Sequence, residues 1–116
     1  MMGGHFGVRR PLRYLTYKLG LDEKQKAELA RILDELKTVR AQAAVDDRRT
    51  VTNFADAVGG EAFDDNLAKQ GAQRRRESAG QVSDAVAQAL KEIHTSLSAE
   101  QRERLAYLIR TRSLFL

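Results

Sequence analysis

The chain contains no cysteine, which excludes disulfides and thiolate metal sites. Its one proline, Pro11, lies near the start, so nothing from residue 12 onward breaks a helix by proline chemistry. Methionine occurs only at Met1 and Met2, and histidine only at His5 and His94. No stretch approaches the ~20 consecutive apolar residues that a membrane-spanning helix needs. Residues 1–20 carry charge but no apolar segment of the kind that marks a secretory signal. The expectation is therefore a cytoplasmic protein, or a mature or trimmed form of an exported one. No Lys/Arg block is longer than Arg74-Arg75-Arg76, and the motifs of nucleic-acid binders are missing, so nucleic acid is not an expected partner. No spacing of His, Ser and Asp suggests a catalytic triad, and no glycine-rich phosphate loop follows a strand. Enzymatic activity is not expected.

What remains is material for helices. The 116 residues are 42% hydrophobic and 31% charged, rich in Ala, Leu, Glu, Lys, Arg and Gln, all good helix formers. The net charge of +4 comes from 20 basic and 16 acidic residues that are interleaved. It permits, without requiring, attraction to anionic partners. The length fits one domain, residues 9–116, behind a lead-in at residues 1–8 that Gly3, Gly4 and Gly7 make costly to order.

The expected architecture is all-α: a four-helix hooked hairpin with two long antiparallel helices and a short helix at each end. Val8, Leu12, Leu15 and Leu19 recur at helical spacing and define a first helix over residues 9–19, with Pro11 in its first turn and Gly20 at its C′ position. The first long arm runs from Asp22 to Val58, with an apolar stripe of Leu29, Ile32, Leu33, Leu36, Val39, Ala43, Val51, Phe54 and Val58. Gly59-Gly60 ends it, Phe63 plugs the hairpin tip, and Asp64 caps the second arm. That arm carries Leu67, Gly71, Ala79, Val82, Val86, Ala89, Leu90, Ile93 and Leu97. A last helix begins at Ser98 with Leu105, Leu108 and Ile109 inward. The tail Ser113-Leu114-Phe115-Leu116 docks on the hairpin or on another copy.

Both stripes are interrupted, at Asp46-Asp47-Arg48-Arg49 and at Arg74-Arg75-Arg76-Glu77. Folding the hairpin about residue 61 sets Asp46 and Asp47 opposite Arg75 and Arg76, and Leu36 opposite Val86. A polar waist held by Asp–Arg pairs follows. Exposed pairs of this kind contribute only ~0–1 kcal/mol each, so their expected role is register.

One short signature occurs twice. Leu21-Asp22-Glu23-Lys24-Gln25 opens the first long arm, and Leu97-Ser98-Ala99-Glu100-Gln101 opens the last helix. Each places an N-cap acceptor, Asp22 or Ser98, three residues before a glutamine at N3, which is a capping box. The usual hydrophobic staple is missing, since its N4 positions hold Lys26 and Arg102. Leu21 and Leu97 are instead expected to pack where the two short helices meet.

A Leu-[Ser/Thr]-x-x-Gln element used twice around an α-hairpin resembles the LTxxQ proteins of the Spy/CpxP type and the related periplasmic heavy-metal resistance proteins. The second copy matches closely. The first carries Asp22 where Ser or Thr is usual, a mild change because Asp caps equally well. Phe63-Asp64 after the turn also fits, and the resemblance covers roughly residues 12–110. It implies a hooked hairpin that pairs into a curved antiparallel homodimer, a periplasmic setting and no enzymatic activity. Members act as ATP-independent chaperones, stress-signalling regulators or metal sensors, and membership does not choose among them.

Two expectations stand side by side. The first is a chaperone-like or adaptor dimer that captures unfolded or signalling-protein segments. Arg9, Arg10, Arg13, Arg48, Arg49, Arg74, Arg75 and Arg76 would supply a cationic surface, with Phe54, Phe63 and Phe115 as apolar patches. The bland alternative is an ordinary solvated helix face. The second is a heavy-metal-responsive protein that binds a divalent transition metal through His5 and His94, with carboxylates such as Glu92 or Glu100. The resemblance implies several His, Glu and Met ligands in metal-sensing members, whereas this chain has methionine only at Met1 and Met2. No other cofactor is expected.

Overall fold

The computed structural model describes residues 9–114. His5, Phe115 and the proposed lead-in at residues 1–8 lie outside this range. The fold is all-α, with four helices and no strand among the described residues. They are α1 (Arg9–Leu19), α2 (Glu23–Gly59), α3 (Asp65–Ser96) and α4 (Ala99–Arg110). The two long helices pack against each other as a helical hairpin.

Two compact units are distinguished. One holds the described residues up to Lys37 and from Val86 onward; the other is Thr38–Ala85.

The first unit contains a leucine-rich core. Leu15 and Leu19 of α1, Leu29 and Ile32 of α2, Ala89 and Ile93 of α3, and Leu105 and Leu108 of α4 are buried together with Leu21 and Leu97. Leu12, Tyr14, Leu36, Ile109 and Leu114 pack around them, half-buried. The tail residue Leu114 thus docks on the protein's own core. The chain turns sharply out of α1 because Gly20 adopts φ +66°, where a side chain would be strained. The amides of Gly20 and Leu21 both donate to the Thr16 carbonyl, which closes the helix end. A second left-handed residue, Arg112 at φ 60°, follows α4, and the amides of Ser113 and Leu114 return to the Leu108 carbonyl.

The second unit is built from small residues. Thr50 and Ala57 of α2 are about 1% exposed, and Gly71 of α3 is buried. A Cβ placed on Gly71 would lie 2.8 Å from Cε1 of Phe54 and 3.3 Å from Cβ of Asn53. Glycine therefore lets the two helices approach at this point. The close seam explains a correction to the apolar stripe. Val51 and Val58 are 53% and 70% exposed rather than inward. They lie one residue, about 100° of helix, beyond Thr50 and Ala57. A seam this tight takes the smaller side chains and turns the valines outward. Ala79 is likewise exposed, and its neighbour Ser78 is half-buried. Phe63 does not plug the tip, being 61% exposed; Asp64 closes that turn through its amide to the Ala57 carbonyl.

Gly71→Val should destabilise the protein by about 1–3 kcal/mol, the usual range for overpacking. Urea denaturation should show the loss, and a Phe54→Ala background should reduce it, because the ring is the atom group in the way.

Candidate functional site

The two copies of the short signature meet. In the first, the Gln25 amide donates to Asp22 Oδ1 at 2.8 Å, and the Asp22 amide donates to Gln25 Oε1 at 3.0 Å. In the second, the Gln101 amide donates to Ser98 Oγ at 3.2 Å, and the Ser98 amide donates to Gln101 Oε1 at 3.0 Å. Both capping boxes are therefore closed, by Asp in one case and Ser in the other. The leucines of both copies, Leu21 and Leu97, are buried in the core beneath them.

The glutamines then do a second job. Gln25 Nε2 donates to Gln101 Oε1 at 2.7 Å, and Gln101 Nε2 donates to Gln25 Oε1 at 3.1 Å. The two side-chain amides form a reciprocal pair. The second hydrogen of Gln25 goes to the Ser96 carbonyl at 2.9 Å, at the end of α3. That of Gln101 is shared between the carbonyls of Leu19 and Gly20, at 3.2 and 3.3 Å, at the end of α1. Two side chains thus tie together two helix starts and two helix ends, each of which would otherwise leave unpaired backbone groups. Only an amide can do this. A glutamate has no hydrogen to give the carbonyls, and a lysine no acceptor for the N-cap amide. The duplication hints at this clasp only indirectly, since capping alone accounts for each glutamine.

Beside the clasp, an open groove of about 720 Å³ is lined by Asp22, Gln25, Glu28, Arg31, Glu92 and neighbouring side chains. Arg31 binds Glu35 at 2.6 Å and Glu92 at 2.9 Å, and also Glu28. Gln88 Nε2 donates to the other oxygen of Glu92 at 3.1 Å. Arg31, and to a lesser degree Gln88, hold the Glu92 carboxyl below its ordinary range. The contacts with Glu28 and Glu92 raise Arg31, which stays charged throughout. This cluster was not anticipated from the sequence.

The proposed waist is present in part. Arg75 reaches Asp47 at 3.2 Å, and its guanidinium lies 5.5 Å from the centroid of Phe54. Asp46 and Arg76 do not pair. Asp46 accepts from Gln42 at 3.2 Å and Arg76 donates to Gln73 at 2.7 Å, each within its own helix. Both partners sit one helical turn away, at the i,i+3 and i,i+4 spacings where helix side chains meet.

Besides Arg75 and Arg76 of the waist, the other six candidate arginines fall into two sets. Arg9, Arg10 and Arg13 are exposed on α1, in the first unit. Arg48 and Arg49 are exposed on α2 and Arg74 is half-buried on α3, all in the second unit. These last three line one groove of about 340 Å³ with Val45, Thr52 and Asn53. His94 is exposed in the last turn of α3. Among the described residues, no three His, Cys, Asp or Glu side chains are grouped to hold a metal. Among them, too, no helix is long and apolar enough to cross a membrane.

These features define a class: an all-α hairpin protein whose terminal helices are clasped by two capping motifs through paired glutamines. The family model of the LTXXQ motif family proteins matches residues 8–108, and the chain belongs to that family. A relation to the Spy/CpxP type is consistent with this membership. No curated protein and no solved structure matches the chain.

Two predictions follow from the clasp and its neighbouring cluster. Gln25→Ala and Gln101→Ala should each cost about 1–3 kcal/mol, since each strands buried or half-buried partners. The double variant should cost less than the sum, with a coupling of about 0.5–3 kcal/mol in a denaturation cycle. The second concerns acid. A carboxyl depressed in the folded state contributes stability that is complete above its unfolded value, about 4.3, and is lost as pH falls through the folded value. Glu92→Gln should therefore flatten the fall in melting temperature below about pH 4.5, read by circular dichroism.

Proposed function

We propose that the protein is a non-enzymatic stress protein of the periplasmic type. It acts as an ATP-independent, chaperone-like or adaptor homodimer that holds segments of other proteins. The observation that carries this reading is a strip on the outer face of α2. Arg48, Val51, Ala55 and Val58 follow one another at steps of three and four, and all four are exposed. A cation thus stands one turn from unsheltered valines. Charge of this kind steers an unfolded or acidic chain into contact, and exposed apolar groups then retain it. The leucines, cap residues and glutamines of both signatures are committed to core, caps and clasp, which leaves surface residues as the means of contact. The heavy-metal-responsive alternative draws on family resemblance, and no grouping of ligands among the described residues adds to it.

The test is light scattering of an aggregating client protein without nucleotide. The chain should suppress aggregation in a concentration-dependent way, and Val51→Ser with Val58→Ser should weaken suppression several-fold while leaving helicity unchanged. Absence of suppression by the unaltered chain would overturn the reading. So would stoichiometric binding of Zn²⁺, Ni²⁺ or Cu²⁺ that is lost in His94→Ala, since it would assign the protein to metal response.

A further inference from the structure

The groove of Arg48, Arg49 and Arg74 in the second unit has a property that client capture does not require. Two of its side chains hold buried hydrogen-bond donors without any partner: Asn53 Nδ2 and Arg74 Nε. A buried donor left unpaired costs about 1–3 kcal/mol, more when it is charged. None of the three arginines forms an ion pair among the described residues. The carboxylates beside them in the chain are engaged elsewhere, Asp47 with Arg75, Asp46 with Gln42 and Glu77 with Gln73. Three arginines thus line one groove without an ion pair among the described residues, and each raises the cost of the others.

We propose that this groove is an oxyanion seat, which takes one compact group of the phosphate class. The two unpaired donors, one on each helix, belong to side chains that line the groove. Arg48 and Arg49, both exposed, supply mobile guanidinium forks that can close over the ion. The groove, open and about 340 Å³, has room for one such group. The charge count separates phosphate from carboxylate. Three cations are better balanced by a dianion, and tetrahedral phosphate offers more acceptor directions than a planar carboxylate does. The seat shares arginines with the surface described above, but it does not depend on the protein holding other chains.

The experiment is a titration of the full chain with inorganic phosphate at constant ionic strength. It is read by calorimetry and by the NMR signals of the Arg74 Nε–H and Asn53 Nδ2–H groups. Saturable binding of one ion per chain is expected, with those two signals shifting together. Arg74→Gln and Asn53→Ala should each weaken binding about tenfold, the loss expected for one hydrogen bond to a charged group. Arg48→Gln, a change on an exposed side chain, tests the same site where the other variants fail to fold. Arg76→Gln, whose guanidinium is held by Gln73, should bind as the unaltered chain does. O-phosphoserine serves as the second arm: equal affinity assigns the seat to a phosphate group carried on a larger molecule, and weaker affinity assigns it to the free ion. Either outcome supports an oxyanion seat. Glutamate binding as tightly as phosphate would overturn it. So would no saturable binding, or shifts spread evenly over Arg9, Arg13 and Arg76.

Discussion

The amide pair between Gln25 and Gln101 is the constraint on which the leucine-rich unit depends. Each glutamine offers one acceptor oxygen and two hydrogens, and every one of them is used. The oxygens close two N-caps, and the hydrogens reach the last carbonyls of α1 and α3. Shorter asparagine would not span the distance, and a charged side chain would lack either donor or acceptor. The pair also demands the turn at Gly20, because only its left-handed backbone brings the Leu19 and Gly20 carbonyls to the Gln101 side chain. Polar closure and apolar core reinforce each other here. The leucines next to the caps, Leu21 and Leu97, fill the space beneath the amides.

The second unit rests on a different principle. Its buried side chains are small, and its larger ones are paired across the seam: Phe54 against Gly71, and Arg75 against both Phe54 and Asp47. Such a seam contributes little hydrophobic area for its length. It turns valines and arginines outward and leaves the Thr50 hydroxyl, Asn53 and Arg74 with buried atoms that lack partners. Unsatisfied groups of this kind are rare in proteins, and each calls for a partner such as water or an ion. The surface chemistry on which the proposed function draws is therefore a consequence of packing with small residues.

Much of this was readable from local patterns. The four helices, the N-caps at Asp22, Asp64 and Ser98, the C′ glycine at Gly20 and the Asp47–Arg75 pair all follow from short-range chemistry or from folding the chain on itself about its glycine turn. The rotation of α2 about its own axis does not. Val51 and Val58 fit an inward stripe by hydropathy, and hydropathy has no knowledge of the interhelical distance that Gly71 sets. Asp46 and Arg76 match by charge and register, yet each has a partner one turn away that the sequence pattern weighs less than charge. Arg31 has carboxylates at i−3 and i+4, an ordinary helix-surface pattern, and Glu92 joins them only across the hairpin.

The sequence by itself determined the helices, their ends and the family. Caps, glycine turns and apolar spacing act over three or four residues, and those interactions survive being read in one dimension. Only the tertiary structure decided that the two motifs are one clasp, that valines face outward beside Arg48, and that Arg48, Arg49 and Arg74 share a groove with unpaired donors. Each of these depends on a distance between helices, and that distance is set by the volume of side chains far apart in the chain.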